Sequence, residues 1–179
     1  MVWDPLVRVF HWALAFFFIL AYFLEGKGLK MHSYAGYTVV LLVLFRIIWG
    51  AIGTRHARFS DFLVKPGESI RYFILLLRGN AKSHVGHNPA GAAMIVLMLF
   101  SLSITALSGI SLFALEGSGP LANTFVSSWS GSLQENIHEF FADFSVALVI
   151  VHVIGVVYSS LLHRENLIKA MITGKKPAD

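Results

Sequence analysis

The chain has 179 residues, of which 56% are hydrophobic and 13% are charged. That charged share is roughly half of what an ordinary soluble domain carries, and the long apolar blocks predict a chain that lies in a lipid bilayer. Because there is no cysteine, disulfides, thiolate metal sites, iron–sulfur clusters and covalent c-type haem attachment are excluded. The net charge is +4, but the basic residues lie beside apolar segments, so we expect contacts with lipid head groups and no nucleic-acid partner.

Four apolar segments are long enough to cross a membrane as helices. Asp4 before the first segment and Asn88 before the third are capping residues, and each is followed by a proline suited to the first helical position. The first segment lacks a small-residue cleavage site, so we expect it to be retained. A shorter segment, 66–79, mixes apolar residues with arginines and is predicted to lie in the membrane interface. The predicted spans cover residues 6–24, 31–53, 89–115 and 133–163.

The lysines and arginines of the short loops are unevenly divided between the two sides of the membrane. One side has only Lys27 and Lys30. The positive-inside rule therefore predicts that both termini and the loop between spans two and three are cytoplasmic. The fold class predicted for residues 1–179 is an all-α, multi-pass membrane four-helix bundle forming a single domain. The basic residues on the cytoplasmic side are Arg55, Arg58, Lys65, Arg71, Arg78, Lys82, Arg164, Lys169, Lys175 and Lys176.

Apart from His163, which is the last residue of span four, four of the eight histidines fall within the predicted spans. An ionisable side chain in a membrane helix is costly to insert, so each is a functional hypothesis by default. His11 is near the cytoplasmic start of span one, and His32 is near the outer start of span two. His138 and His152 are fourteen residues apart in span four, which places them on one helix face roughly 21 Å apart. Matching by depth pairs His11 with His152 and His32 with His138.

Two imidazoles can fill both axial positions of a haem iron, and such a six-coordinate site favours electron transfer over oxygen binding. The histidine pattern therefore predicts two non-covalent, bis-histidine haems in the bundle core. Gly36 and Gly155 each follow a ligand by about one turn, where a missing side chain would let a flat ring approach the helix. Gly91 and Gly109 in span three could do the same. Close helix packing is an equally open explanation for all four glycines.

Several other polar residues are candidates for the same sites. Arg46 and Arg8 could bind the haem propionates, although Arg46 could instead extend to the cytoplasmic interface. His87 could cap the third span or approach a cofactor. Glu139 and Asp143 flank the outer ligand and could accept protons from a quinol, or could simply favour the start of their helix.

Two other kinds of protein compete with an electron carrier. A metal-ion transporter would use the histidines at one site near the bilayer midplane, which the fourteen-residue spacing disfavours. A membrane anchor or assembly subunit would use haem structurally and would recruit a soluble oxidoreductase through its loops. Reduction of the haems by a quinol in the isolated protein would distinguish the electron carrier from the anchor.

Nearly the whole chain resembles the bacterial cytochrome b561 proteins and the b-type cytochrome subunits of nickel–iron hydrogenases. The resemblance implies a four-helix bundle with two haem b groups, ligated at His11, His32, His138 and His152, in agreement with the depth argument. The residues that carry it are Trp3-Asp4-Pro5, Arg8-Val9-Phe10-His11-Trp12, His32, Gly36-Tyr37, Arg46, Gly86-His87-Asn88-Pro89, His138-Glu139, His152, His163-Arg164-Glu165-Asn166 and Met171-Ile172-Thr173-Gly174.

The resemblance also implies a function in the bacterial inner membrane. Members of this family exchange electrons between membrane quinone and a redox partner, commonly a periplasmic protein. The chain is shorter than the hydrogenase-type relatives, which favours a stand-alone cytochrome acting with a c-type cytochrome or with oxygen. The alternative is a cytochrome b subunit that anchors a larger oxidoreductase such as a hydrogenase.

Overall fold

The computed structural model describes residues 2–128 and 131–176. Helices account for all of the regular structure in these two ranges. Seven α-helices and one short 3₁₀ helix follow one another along the described chain. They are α1 (Pro5–Leu24), α2 (Leu29–Ile52), α3 (Phe59–Phe62), α4 (Pro66–Leu77), α5 (Pro89–Leu115), the 3₁₀ helix (Phe125–Ser128), α6 (Gly131–Leu162) and α7 (Leu167–Thr173).

Four of these helices, α1, α2, α5 and α6, are long and apolar enough to cross a membrane. They contain 20, 24, 27 and 32 residues, and at about 1.5 Å per residue each reaches the thickness of a hydrocarbon core. The predicted all-α membrane bundle is thus confirmed, and the short helix α4 lies between the second and third long helices as predicted. The helices α3 and α7 are not among the elements predicted from the sequence.

The chain divides into two compact units, and each of the four long helices contributes residues to both. The first unit comprises Met1–Phe10, Arg46–Met98 and Leu148–Asp179. The second unit comprises His11–Phe45 and Leu99–Ala147.

The second unit has an apolar core formed by α2 and α5. Val39, Val43, Leu102 and Ala106 are buried there, with side chains of α1 packed against them. A polar contact joins α5 to α6, where the hydroxyl groups of Ser101 and Ser145 lie 2.7 Å apart. Small hydroxyl residues allow close approach of membrane helices and supply a hydrogen bond between them. These contacts hold α5 against the parts of α2 and α6 that carry two of the predicted ligands.

In the first unit, the carboxylate of Asp4 links α1 to the end of α2. Its Oδ1 accepts a hydrogen bond from the backbone N–H of Val7 at 2.9 Å, so Asp4 caps α1 as predicted. Its Oδ2 accepts from Trp49 Nε1 at 3.1 Å and from the hydroxyl of Thr54. Burial acts to raise the pKa of Asp4, but the bonds from Thr54, Val7 and Trp49 outweigh it and lower the pKa below its ordinary value. Asp4 is therefore ionised at neutral pH.

The helix α7 is fastened to the N-terminal segment, also within the first unit. Asn166 caps α7 by accepting from the backbone N–H of Lys169, and Gly174 ends it in the left-handed conformation, with φ of 75°. The carbonyl of Gly174 then accepts hydrogen bonds from the backbone of Val2 and Trp3, at 2.8 and 3.3 Å. The two ends of the described chain are therefore held together by main-chain bonds.

An ion pair between Glu165 and Lys176 closes the same region. Lys176 Nζ lies 2.8 Å from Glu165 Oε2, and the two side chains are only 8% and 9% exposed. Ser83 donates to Glu165 Oε1 at 2.6 Å, and Lys176 also donates to the carbonyl of His84. Burial acts to raise the pKa of Glu165, but the bonds from Lys176 and Ser83 prevail and lower it.

We expect Glu165→Gln to lower the free energy of local unfolding of α7 by about 1.5–3 kcal/mol, because a hydrogen-bonded, largely buried ion pair is broken. A depressed carboxylate pKa adds stability above the unfolded value of about 4.3, and that stability is lost as pH falls through the folded value. At acid pH the stability of α7 in the wild-type protein should therefore approach that in the variant. Hydrogen exchange of residues 167–173 measures the change, and Glu68→Gln, at an exposed position of α4, is the matched control. Equal exchange in both variants at pH 7 would contradict the expectation.

Candidate cofactor site

Two of the predicted ligands, His32 on α2 and His138 on α6, face each other inside the second unit. Their ring centroids are 6.0 Å apart, and the ring planes make an angle of 79°. Two imidazoles that bind one metal from opposite sides at about 2 Å have ring centres roughly 6 Å apart. The spacing of the rings therefore fits a single metal ion between them.

Both rings are oriented by backbone carbonyl groups. His32 Nδ1 lies 2.9 Å from the carbonyl oxygen of Ala21, and His138 Nδ1 lies 2.8 Å from that of Thr105. Because a carbonyl oxygen can only accept, each Nδ1 carries the proton and each Nε2 keeps its lone pair. A ring N–H bonded to a carbonyl is the usual outer contact of a metal-binding histidine. The four-residue turn between α1 and α2 brings Ala21 close enough for this role.

A cavity of about 220 Å³ adjoins the two histidines, entirely within the second unit. Gly36 and Tyr37 line it from α2, and residues of α1, α5 and α6 complete the wall. Its charged lining residues are all acidic, namely Glu25, Glu139 and Asp143. The two acidic residues that the sequence analysis placed beside the outer ligand thus lie at this cavity.

The glycines near the site differ in what they contact. A Cβ atom added to Gly109 would lie 2.8 Å from Cε1 of His138, so this glycine makes room for the imidazole. A Cβ added to Gly36 would meet nothing within 4 Å, which leaves open space against the helix at the cavity wall. Gly91 has another contact, because its backbone N–H donates to the Asn88 side chain at 2.7 Å. The structure therefore places Gly36 and Gly109, but not Gly91, at the His32–His138 site.

The other two predicted ligands belong to different units. His11 is in the second unit, where its ring makes an edge contact with Trp12 at 5.1 Å. His152 is in the first unit, on the same unbroken helix α6 that carries His138. A Cβ added to Gly155, one turn further along, would meet no atom within 4 Å. The pairing of His11 with His152 stays a prediction.

Arg46 is enclosed by aromatic rings in the first unit. It is only 3% exposed, and its guanidinium lies 4.8 Å from the ring centre of Phe59 and 5.9 Å from that of Phe62. Its Nη1 is buried and makes no hydrogen bond. A buried cation with an unused donor can bind a carboxylate. The two rings belong to α3, a four-residue helix too short to give a periodic pattern in the sequence.

Arg8, the second predicted propionate partner, is also in the first unit. One of its terminal nitrogens, Nη1, donates to the carbonyl of Ile172 at 2.5 Å, so part of the guanidinium is used to hold the C-terminal helix. Its Nε is buried and makes no hydrogen bond. Arg8 therefore combines a structural contact with one free donor.

His87 is clamped between two aromatic rings and does not cap α5. Its ring centre lies 4.4 Å from that of Trp3 and 4.5 Å from that of Phe62. Burial lowers the pKa of His87 to about 3, and electrostatic interactions with Arg46 and His56 lower it further. The cap of α5 is Asn88, as its contact with Gly91 shows. His87 is therefore a neutral, buried imidazole at physiological pH.

A membrane bundle of four apolar helices with facing, carbonyl-oriented imidazoles in its interior has the architecture of a membrane cytochrome. The chain belongs to the prokaryotic cytochrome b561 family, whose sequence profile matches residues 2–174. It is a multi-pass protein of the bacterial inner membrane and a b-type cytochrome of electron transfer. The family implies that its cofactor is haem b.

Individual relatives carry a consistent name. A "probable Ni/Fe-hydrogenase B-type cytochrome subunit" of Rhizobium leguminosarum bv. viciae is 25% identical over 211 residues, covering 98% of this chain and 87% of the relative. The Azotobacter vinelandii protein of that name is 26% identical, with coverages of 97% and 86%. A hydrogenase 1 counterpart from Escherichia coli K12 is 25% identical, with coverages of 97% and 88%. No solved structure gives a significant match.

Proposed function

We propose that this cytochrome holds two haem b groups by paired histidines and transfers electrons across the membrane between the quinone pool and a redox partner. The observation that carries the proposal is the His32–His138 pair, with ring centres 6.0 Å apart and both Nδ1 atoms bonded to carbonyls. Bound haem supplies one-electron chemistry. The protein supplies the ligands, excludes water and sets the potential.

The second proposed site has His11 and His152 as ligands, with Gly155 admitting the haem ring. Support comes from α6, which is an unbroken helix that carries both His138 and His152. Because fourteen residues make about four turns, the two histidines lie on the same face of this helix. Arg46 and Arg8 are the proposed propionate partners, since each has a buried nitrogen with no hydrogen-bond partner. At the first site, the open space beside Gly36 would receive the edge of the ring.

Both termini are proposed to be cytoplasmic, as the loop charges predict, with α4 lying in the membrane interface. One face of α4, carrying Tyr72 and Leu76, is buried against the protein. The apolar residues Ile70, Phe73, Ile74 and Leu77 are 43% to 64% exposed. They recur at helical spacing, so a continuous apolar stripe is available to the lipid.

The proposed reaction is tested by adding a reduced, water-soluble quinol analogue to the purified cytochrome without oxygen. We expect both haems to become reduced within the mixing time. The reduction is measured by visible absorption. Dithionite reduction of the same sample gives the full amplitude. Haems that the quinol analogue does not reduce, and that after dithionite reduction do not reduce the oxidised analogue, would contradict a link to quinone.

A second candidate function is that of the cytochrome subunit of a hydrogenase complex, as the names of the relatives suggest. Electrons would then pass from the hydrogenase through the cytochrome to quinone, without a separate periplasmic c-type cytochrome or oxygen. Purification from the native membrane distinguishes the two candidates. A stable complex with a hydrogenase favours the second candidate if hydrogen gas reduces the haems in the complex and no longer reduces them once the hydrogenase is removed.

A further inference from the structure

The Tyr37 hydroxyl group is a buried donor that lacks an acceptor. It is shielded from solvent and makes no hydrogen bond, although Tyr37 lines the cavity beside His32 and His138. Buried tyrosine hydroxyls usually have a partner, and leaving such a group unsatisfied costs about 1–3 kcal/mol. An acceptor that the polypeptide does not provide is therefore expected next to this hydroxyl.

The phenol ring is held firmly in place. Its centre lies 6.4 Å from that of Phe113, and a Cβ added to Gly119 would lie 2.6 Å from the Tyr37 hydroxyl oxygen. The chain approaches the hydroxyl closely at Gly119. This residue has φ of 79°, a conformation that residues other than glycine rarely adopt. Because helical side chains point towards the N-terminus of their helix, Tyr37 leans towards the end of α2 at which His32 lies. The hydroxyl thus has little freedom to find a partner elsewhere.

The charge of the cavity indicates why a hydroxyl donor matters here. No lysine or arginine is among the described residues that line the cavity, and Glu25, Glu139 and Asp143 make its wall acidic. Two other hydroxyl groups of the wall are already used, since Ser33 donates to Leu29 and Thr105 to Ser101. A carboxylate entering this cavity would find Tyr37 as a buried, available donor.

We propose that the Tyr37 hydroxyl donates a hydrogen bond to a propionate carboxylate of the haem held by His32 and His138. The proposal rests on the function proposed above. The hydrogen bond disperses negative charge that otherwise stabilises ferric iron, and so it raises the reduction potential of this haem. Tyr37 would thereby offset part of the effect of the acidic wall.

The test is Tyr37→Phe in the full-length, detergent-purified cytochrome, with the midpoint potential of each haem measured by redox titration. We expect two haems to remain and one potential to fall, with up to about a tenfold smaller equilibrium constant for reduction, which is about 59 mV for one electron. Tyr34→Phe is the matched control, because Tyr34 is on the same helix but 62% exposed. Two haems with unchanged potentials in Tyr37→Phe would overturn the proposal, while leaving the di-haem function intact.

A second measurement does not depend on how well the variant accumulates. Wild-type protein labelled with ring-¹³C tyrosine should show an isotope-sensitive tyrosine band in the reduced-minus-oxidised infrared difference spectrum. The absence of any tyrosine band would overturn the assignment of Tyr37. Wild-type protein with no haem between His32 and His138 would overturn both the assignment and the proposed function.

Discussion

His138→Ala is expected to halve the haem content, from two haems per chain to one. The imidazole of His138 is one of the two ligands proposed for this haem, and its hydrogen bond to the Thr105 carbonyl would position it for this role. Alanine offers no lone pair, so the haem at this site would keep only His32 and would be lost during purification. His152→Ala should likewise remove one haem, and the double variant should contain none. Haem content per chain measures all three.

The matched control is His84→Ala, because His84 is an exposed histidine outside the long helices. It should retain both haems. The difference spectra add a further check, since the absorption component missing from His138→Ala should be the one kept in His152→Ala. Two haems in either single variant, or the same component missing from both, would contradict the two histidine pairs.

Gly109→Ala is expected to displace His138 and greatly reduce haem occupancy at its site. The added Cβ would lie 2.8 Å from Cε1 and 3.1 Å from Nδ1 of the imidazole, which is closer than packed atoms allow. Because Nδ1 is bonded to Thr105, the ring can move only by giving up that bond. Overpacking of this kind costs about 1–3 kcal/mol. Haem content and the low-spin absorption bands report the effect.

Leu107→Ala is the matched control for this glycine. Leu107 is on the same helix two residues earlier, is 62% exposed and should tolerate the change. If Gly109→Ala bound two low-spin haems with wild-type potentials, the tight contact between the glycine and the imidazole would have no bearing on the cofactor.

The long helices could be predicted from the sequence because their signals are local. An apolar stretch of 20 residues or more needs no tertiary information to be recognised. The Asp-Pro and Asn-Pro pairs likewise indicated where two helices start, and Asp4 and Asn88 cap α1 and α5 there. The helix α3 was missed because its four residues contain less than two turns. Its aromatic rings matter only because tertiary packing places them over Arg46.

At the candidate site, the sequence indicated the histidines but not the groups that orient them. His32 and His138 stand out as ionisable residues in apolar helices. Their partners are the carbonyls of Ala21 and Thr105, and a main-chain acceptor carries no side-chain signature. In the sequence, Tyr37 stands out only as part of a family motif, because the residues around it in α2 do not indicate that its hydroxyl lacks a hydrogen-bond partner. Unsatisfied donors are properties of the folded chain.

The most direct test of the proposed function is the number of b-type haems per chain in the detergent-purified wild-type protein. Pyridine haemochrome analysis gives the haem content, and a reduced-minus-oxidised spectrum gives the spin state. Two haem b groups per chain, both low-spin, are the result that the four-histidine arrangement predicts. A single haem, or high-spin iron at either site, in protein expressed with ample haem would contradict it.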